Sequence, residues 1–249
     1  MAPPAPGIID TNCYLGSWPT RRLAIGSPRE LGQLALDNGV VTCLVSPLEA
    51  IFHKDRITAN SKLKREIANF RSSLIPIPVV NPLAPVEESG NVKMVRVTPA
   101  HHLYSVRNRA LNRLMAMLES GGKVLFISMR MRDERLRHPI LRTRPIRPDE
   151  LISALEPFPD LPVVVNNAKS AEMERILQNC GDNVLVGCTW SMPVGFIERM
   201  VDDHGDHRMV FGSNVPLHYY QSSLLQINGA SISSRSRDRI LRENAGALL

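Results

Sequence analysis

The residues best suited to chemistry fall in short polar runs, each closing an apolar segment. The first run offers Asp10, Asn12 and Tyr14. Another offers Arg96 and Thr98, followed by Pro99-Ala100-His101-His102. A third carries Ser128, Arg130, Arg132, Asp133, Glu134, Arg135 and His138. Later come Asn166 and Asn167, then Thr189 and Trp190, then Ser213, Asn214 and His218. Asp10, His101 and His102 are the proton carriers of this set. The guanidinium groups of Arg96, Arg130, Arg132 and Arg135 match carboxylate or phosphate bidentately. Asn12, Tyr14, Asn166 and His218 can hydrogen-bond a ligand, and Trp18 and Trp190 can wall a pocket.

Each residue also has a plain structural reading. Asp10 can anchor a neighbouring loop, and one of the two histidines can simply cap a turn. The run from Arg130 to Arg135 reads as a solvated charged face, with Asp133 and Glu134 neutralising the cations. Trp18 and Trp190 fit core or rim packing. The His204-Gly205-Asp206-His207 cluster resembles a metal motif by composition, yet it precedes the last strand, on the stability face of a barrel.

Position along the elements decides between these readings. Continuous apolar runs such as 40–45 mark strands buried on both faces, as in parallel sheets. Further strands are predicted over 7–13, 74–80, 92–97, 123–127, 162–165, 183–188 and 208–211. Helical spacing follows from residue 28 to an Asn38-Gly39 stop, and over 60–70, 106–119, 148–155 and 194–201. Ser170 is expected to cap a helix through residue 177, and a final helix runs from about 233 to 248. Residues 130–147 form a long basic loop. Eight strands alternating with helices imply right-handed βαβ units. In a chain of 249 residues they predict a single (β/α)8 TIM barrel spanning 1–249. No Gly-rich turn follows the first strand, as a doubly wound sheet would require. Barrel enzymes place their chemistry at the C-terminal ends of the strands, where the polar runs stand.

Four segments carry a family resemblance. Ile9-Asp10-Thr11-Asn12-Cys13-Tyr14-Leu15-Gly16 resembles the opening strand of the amidohydrolase-related, metal-dependent hydrolase barrels, Ile-Asp-x-His-x-His-x-Gly. Val95-Arg96-Val97-Thr98-Pro99-Ala100-His101-His102 resembles their strand-four segment. Phe211-Gly212-Ser213-Asn214-Val215-Pro216 is similar to Gly-Ser-Asp-x-Pro of strand eight, and Ile240-Leu241-Arg242-Glu243-Asn244-Ala245 to the closing Ile-Leu-x-x-Asn-Ala. The resemblance implies a divalent metal, held by two His of strand one, a His of strand five, a His of strand six and an Asp of strand eight. In this chain those places hold Asn12 and Tyr14, Ser128 or Arg130, Asn166 or Asn167, and Asn214. Amide oxygens are weak donors beside the imidazole, thiolate or carboxylate that zinc prefers. The expectation is therefore a barrel with no metal ligands and no metal cofactor.

The working expectation is an amidohydrolase-related barrel that binds a small anionic molecule through Arg96 and Arg130. Asp10 or His102 would transfer a proton, with Asn214 at the mouth, in metal-independent hydrolysis, lactone opening or decarboxylation. The rival is a non-catalytic binding or regulatory barrel, a pseudoenzyme; a third reading uses the basic loop to bind nucleic acid or an acidic partner. The net charge of +6 is modest and aromatic residues are only 5%, which speaks against stacking single-stranded bases. With 43% apolar residues the chain has the profile of a globular domain. Cys13, Cys43, Cys180 and Cys188 form no Cys-x-x-Cys pair and read as buried reduced thiols. Residues 1–6 lack the features of a signal peptide, and no apolar run approaches a membrane span, so a cytoplasmic location is expected. Homo-oligomerisation is left open.

Overall fold

The computed structural model describes residues 7–52, 55–84, 92–133, 135, 138–190 and 192–249. The residues behind the signal-peptide argument, 1–6, lie outside that set, as does Glu134. Eight parallel strands run β1 (Ile8–Leu15), β2 (Val40–Pro47), β3 (Leu74–Pro76), β4 (Met94–Val97), β5 (Val124–Ser128), β6 (Val163–Asn166), β7 (Val184–Cys188) and β8 (Met209–Phe211). They form hydrogen-bonded groups β1-β2-β3 and β4-β5-β6-β7-β8. Two seams join the groups. At one, Arg96 N donates to Pro78 O and Val80 N donates to Arg96 O, both at 2.8 Å. At the other, Asn214 N donates to Asn12 O and Tyr14 N to Val215 O, again at 2.8 Å. Both pairs ascend together along the two segments, the sense of a parallel pairing. The fold is an α/β TIM barrel.

The third strand is shorter than the 74–80 the sequence suggests. Proline has no N–H for a ladder. Ile77 N still reaches Val45 O at 2.8 Å, while Pro78 contributes only its carbonyl, so this segment hands over from β2 to β4. Helices cover the outside: α1 (Pro28–Asp37), α2 (Glu49–Phe52), α3 (Arg56–Glu66), α4 (Pro99–His102), α5 (Arg109–Ser120), α6 (Pro148–Leu155), α7 (Ser170–Asn179), α8 (Phe196–His204), α9 (Tyr220–Asn228), α10 (Ser234–Asp238) and α11 (Asn244–Gly246). Helix α1 starts on a reciprocal cap, Ser27 N to Glu30 Oε2 at 2.9 Å and Glu30 N to Ser27 Oγ at 3.3 Å. Helix α5 buries Leu111, Leu114, Met115 and Leu118, the stripe its spacing predicts.

Three expectations change. Helix α3 begins at Arg56, four residues before the predicted 60, because Asp55 caps it, accepting from Thr58 N at 3.0 Å, and it gives way to a tighter turn over Ala68–Phe70. Ser170 is the first residue of α7 rather than its cap, which falls at Lys169. The closing helix is broken by a wider turn over Arg239–Glu243 between α10 and α11.

Inside the barrel, inward residues from all eight strands or their continuations form an apolar plug. Ile9, Leu44, Ile77, Met94, Phe126, Val164, Leu185 and Val210 pack together, closed beneath by Ala245 and Leu248. The larger core lies between strands and helices. Cys13, Cys43 and Cys188 are buried, as expected; Cys180 is only half-buried, at the end of α7. Among the described residues, no helix is long and apolar enough to cross a membrane.

Candidate functional site

Above the plug the interior turns polar. Asp10 is fully buried and accepts four hydrogen bonds. Its Oδ1 accepts from Asn12 N and Ser213 N, both at 2.9 Å. Its Oδ2 accepts from Cys13 Sγ at 2.8 Å and from Ser213 Oγ. The carboxylate thus ties β1 to the end of β8, the loop-anchoring role weighed for it.

Beside it, the fully buried Arg96 spans the barrel. Its Nη1 donates to Asn12 Oδ1 at 2.6 Å, to Ser128 Oγ at 3.3 Å and to Tyr14 Oη. Its Nη2 donates to Thr11 O at 3.0 Å. Tyr14 Oη donates in turn to Asn12 Oδ1 at 2.9 Å. Burial pushes the Tyr14 hydroxyl up, and Arg96 opposes that shift.

A chain of amides completes the network. Asn12 Nδ2 donates to Asn167 Oδ1 at 2.9 Å and, more weakly, to Asn214 Oδ1 at 3.5 Å. Asn167 Nδ2 donates to Arg130 O at 2.6 Å, and Asn214 Nδ2 to Met131 O at 3.0 Å. Asn167 and Asn214 both have left-handed backbones, φ +62° and +61°, which Asn tolerates better than other non-glycine residues. Asn166 is buried beneath them, and neither its Oδ1 nor its Nδ2 has a protein partner. A Cβ on Gly187 would stand 2.3 Å from that Oδ1, so the Asn166 side chain would have to shift to admit one.

A cavity opens between Trp18 and the loop after β5. It is narrow, with room for the centres of water-sized molecules of only about 30 Å3, and it is partly open to solvent. Trp18, His101, Arg130, Arg132, His138 and Arg144 are among its walls. Arg130 is held from behind by a bidentate pair with Glu172, at 2.5 and 2.7 Å, and donates to Asn167 O at 2.7 Å. Arg132 lies over the Trp18 ring, 5.7 Å from its centroid. His101 meets Phe52 edge-on at 5.7 Å, and its buried Nδ1 has no protein partner. Burial first, and the neighbouring His102 second, hold His101 down to about 4, so it is neutral at pH 7.

His102 turns away from the cavity. Burial brings it also to about 4, with Arg56 assisting and a hydrogen bond to Ala50 opposing. Its Nε2 lies 3.3 Å from Ala50 O, so the neutral ring carries its proton there, and Nδ1 faces Thr98 Oγ1 at 3.4 Å. His218 and Trp190 pair edge-on at 4.7 Å. Burial, then Arg132 and Arg21, lower His218. Arg135 stands apart: it is largely exposed and bound to Asp133, whose carboxyl it holds well below the usual range.

The structure brings Asn12, Tyr14, Arg96 and Asn214 into one network and His101, Arg130 and Arg132 onto one cavity; Arg96, expected beside Arg130 on a bound anion, is instead engaged in the interior. Nothing in the sequence points to Glu172 behind Arg130, which comes from a helix 42 residues away. The His204–His207 cluster is structural. Arg239 pairs with Asp206 at 2.7 Å, Asn244 bonds Asp206 O at 2.7 Å, and the half-exposed His207 lies 3.2 Å from Asp182.

The residues present do not fit the metal that the family resemblance implies. Among the described residues no three His, Cys, Asp or Glu side chains converge as ligands. Asn12 and Tyr14 turn their oxygens to a guanidinium instead. A dication 4 Å from that charge would be repelled by roughly 8 kcal/mol at an effective dielectric constant near 20.

No protein-family model matches the chain, and no curated protein does. Solved structures do. A 2,6-dihydroxybenzoate decarboxylase from Rhizobium superposes with a TM-score of 0.73 at 14% identity, covering 97% of this chain and 98% of the other. A dihydroxybenzoic acid decarboxylase from Polaromonas, with bound manganese and the inhibitor 2-nitroresorcinol, gives 0.72 at 12%, covering 97% and 96%. An uncharacterised TIM-barrel protein from Bordetella bronchiseptica gives 0.69 at 14%, covering 97% and 98%. These likenesses establish the fold, the one the four motifs implied.

Proposed function

We propose that this barrel binds a small anionic molecule in the cavity beside Trp18 and acts on it without a resident metal. The observation that carries the reading is one cavity lined by Trp18, the neutral His101, Arg132 and Arg144, with Arg130 in its wall but its charge engaged by Glu172. Structures of this fold include decarboxylases of hydroxylated benzoates. The reaction proposed is decarboxylation or hydrolysis, its metal independence resting on the ligand set of the mouth and not on these structures, with the anion on Arg132 and the neutral His101 as proton acceptor. Asp10 and His102, the proton carriers favoured by the sequence, are both engaged by protein partners, as is Asn214. That observation favours the second reading, a binding barrel with no turnover.

The two readings part in one assay. 2,6-Dihydroxybenzoate is titrated calorimetrically into chelator-dialysed protein, and its consumption is followed by chromatography. Binding is expected, with Arg132→Ala weakening it roughly ten- to a hundredfold. Consumption abolished by His101→Phe identifies an enzyme; binding without consumption identifies the binding barrel. No saturable binding at millimolar probe sinks the aromatic-carboxylate class.

A further inference from the structure

We infer that the barrel mouth is built as a guanidinium site, with Arg96 as its tethered, permanent cation in the place where the resembling barrels gather a metal. The inference stands on the interior network and does not depend on what the cavity binds.

Three of the groups that hold Arg96 occupy ligand positions of the resemblance. Asn12 and Tyr14 stand at the two strand-one places and Ser128 at a strand-five place. Each presents an oxygen to Nη1. The orientation of the key amide is fixed from outside. Asn167 and Asn214 are anchored by their Nδ2 groups on the carbonyls of residues 130 and 131, so both turn Oδ1 inward. Those oxygens accept from Asn12 Nδ2, which leaves Asn12 Oδ1 for Arg96. Tyr14 follows, giving its proton to the same Oδ1 and a lone pair to the guanidinium.

The hydrogen-bonding shell is polarised toward a cation, yet every acceptor in it is neutral: an amide, a phenol, a hydroxyl and the Thr11 carbonyl. Aromatic rings flank it, Tyr14 at 4.9 Å and Phe126 at 5.5 Å from Arg96 Cζ, while the buried Nε has no hydrogen-bond partner. Zinc asks for deprotonated or imidazole ligands and resists dehydration without them. A guanidinium is planar, weakly hydrated and able to stack on rings. The shell suits the second ion and not the first.

Removal of the tether is therefore expected to leave a vacant site for the free ion. Arg96→Ala is melted with low-millimolar guanidinium or methylguanidinium chloride, far below denaturing levels. Sodium chloride, zinc chloride and manganese chloride are the comparisons. Guanidinium is expected to raise the Tm of Arg96→Ala by about 3–5 °C while leaving the parent protein unmoved. Equal response to sodium and guanidinium, or uptake of about one zinc or manganese per chain by the variant, overturns the inference.

The parent protein gives a test that does not need the variant to fold. In 15N-arginine spectra, Arg96 Nη protons are expected to exchange at least about a hundredfold more slowly than those of the exposed Arg135. Exchange of both at the same rate also overturns the inference. Neither measurement uses a ligand of the cavity, so each is independent of the functional reading above.

Discussion

His101 and His102 hold both imidazoles at about 4, against about 6.5 for a free histidine. Between those values the unfolded chain binds protons that the folded one refuses. Stability is therefore complete above about pH 6.5 and is lost as pH falls toward 4, by up to about 1.4 kcal/mol per pH unit per histidine. Urea unfolding at pH 5 and pH 6 measures the slope. His101→Phe keeps an aromatic edge against Phe52 and is expected to remove about half of it; an unchanged slope would show that His101 is not the group responsible. Residue identities at the barrel mouth are legible in the sequence because strand ends are recognisable. Their engagement is not. Asp10 reads as a base until Ser213, some 200 positions later, supplies two of its four donors.

Elements meet through a few side chains that the local pattern does not announce. Arg130 leaves the end of β5 and meets Glu172 in the first turn of α7, the arginine almost fully buried and the glutamate nearly so. Glu172 also accepts from Lys169 N at 2.7 Å, so one carboxylate caps the helix and neutralises the strand's cation. Glu172→Gln keeps the shape and removes the charge. It is expected to cost about 2–3 kcal/mol by chemical denaturation and to loosen the loop after β5. A loss below about 0.5 kcal/mol would mean that the pair is solvated as an ordinary surface bridge. The same logic explains which elements the sequence reveals. Helix α5 shows an uninterrupted apolar stripe and β2 an uninterrupted apolar run. Helices α2 and α4 are single turns, too short for any period. Helix α9 buries Tyr220, Ser223, Leu224 and Ile227, a stripe interrupted by serine that the spacing does not disclose.

At the scale of the molecule, the seam between β1 and β8 closes the barrel, and Asp10 is its side-chain clasp. Asp10→Ala strands the buried amides of Asn12 and Ser213 together with a thiol and a hydroxyl. A loss of about 3 kcal/mol or more follows if two or more of these donors stay unpaired. Hydrogen exchange is expected to show Tyr14 and Asn214 losing protection ahead of β5 and β6. Uniform loss across all strands would mean that the seam holds without its clasp. The eightfold alternation makes the barrel readable from sequence, because each βα unit repeats a local signal. The interior polar layer is not readable in that way, since it is assembled from one or two residues of each strand. Its central arginine also constrains how this barrel can change by descent. Asn12→His alone would press an imidazole against a buried guanidinium, and losing Arg96 first would leave Asn12 Oδ1 with Tyr14 and remove the side-chain donor to Thr11 O. Each single step is expected to lower stability before a metal set is complete, so concerted substitution is the expected route between this interior and a metal-binding one.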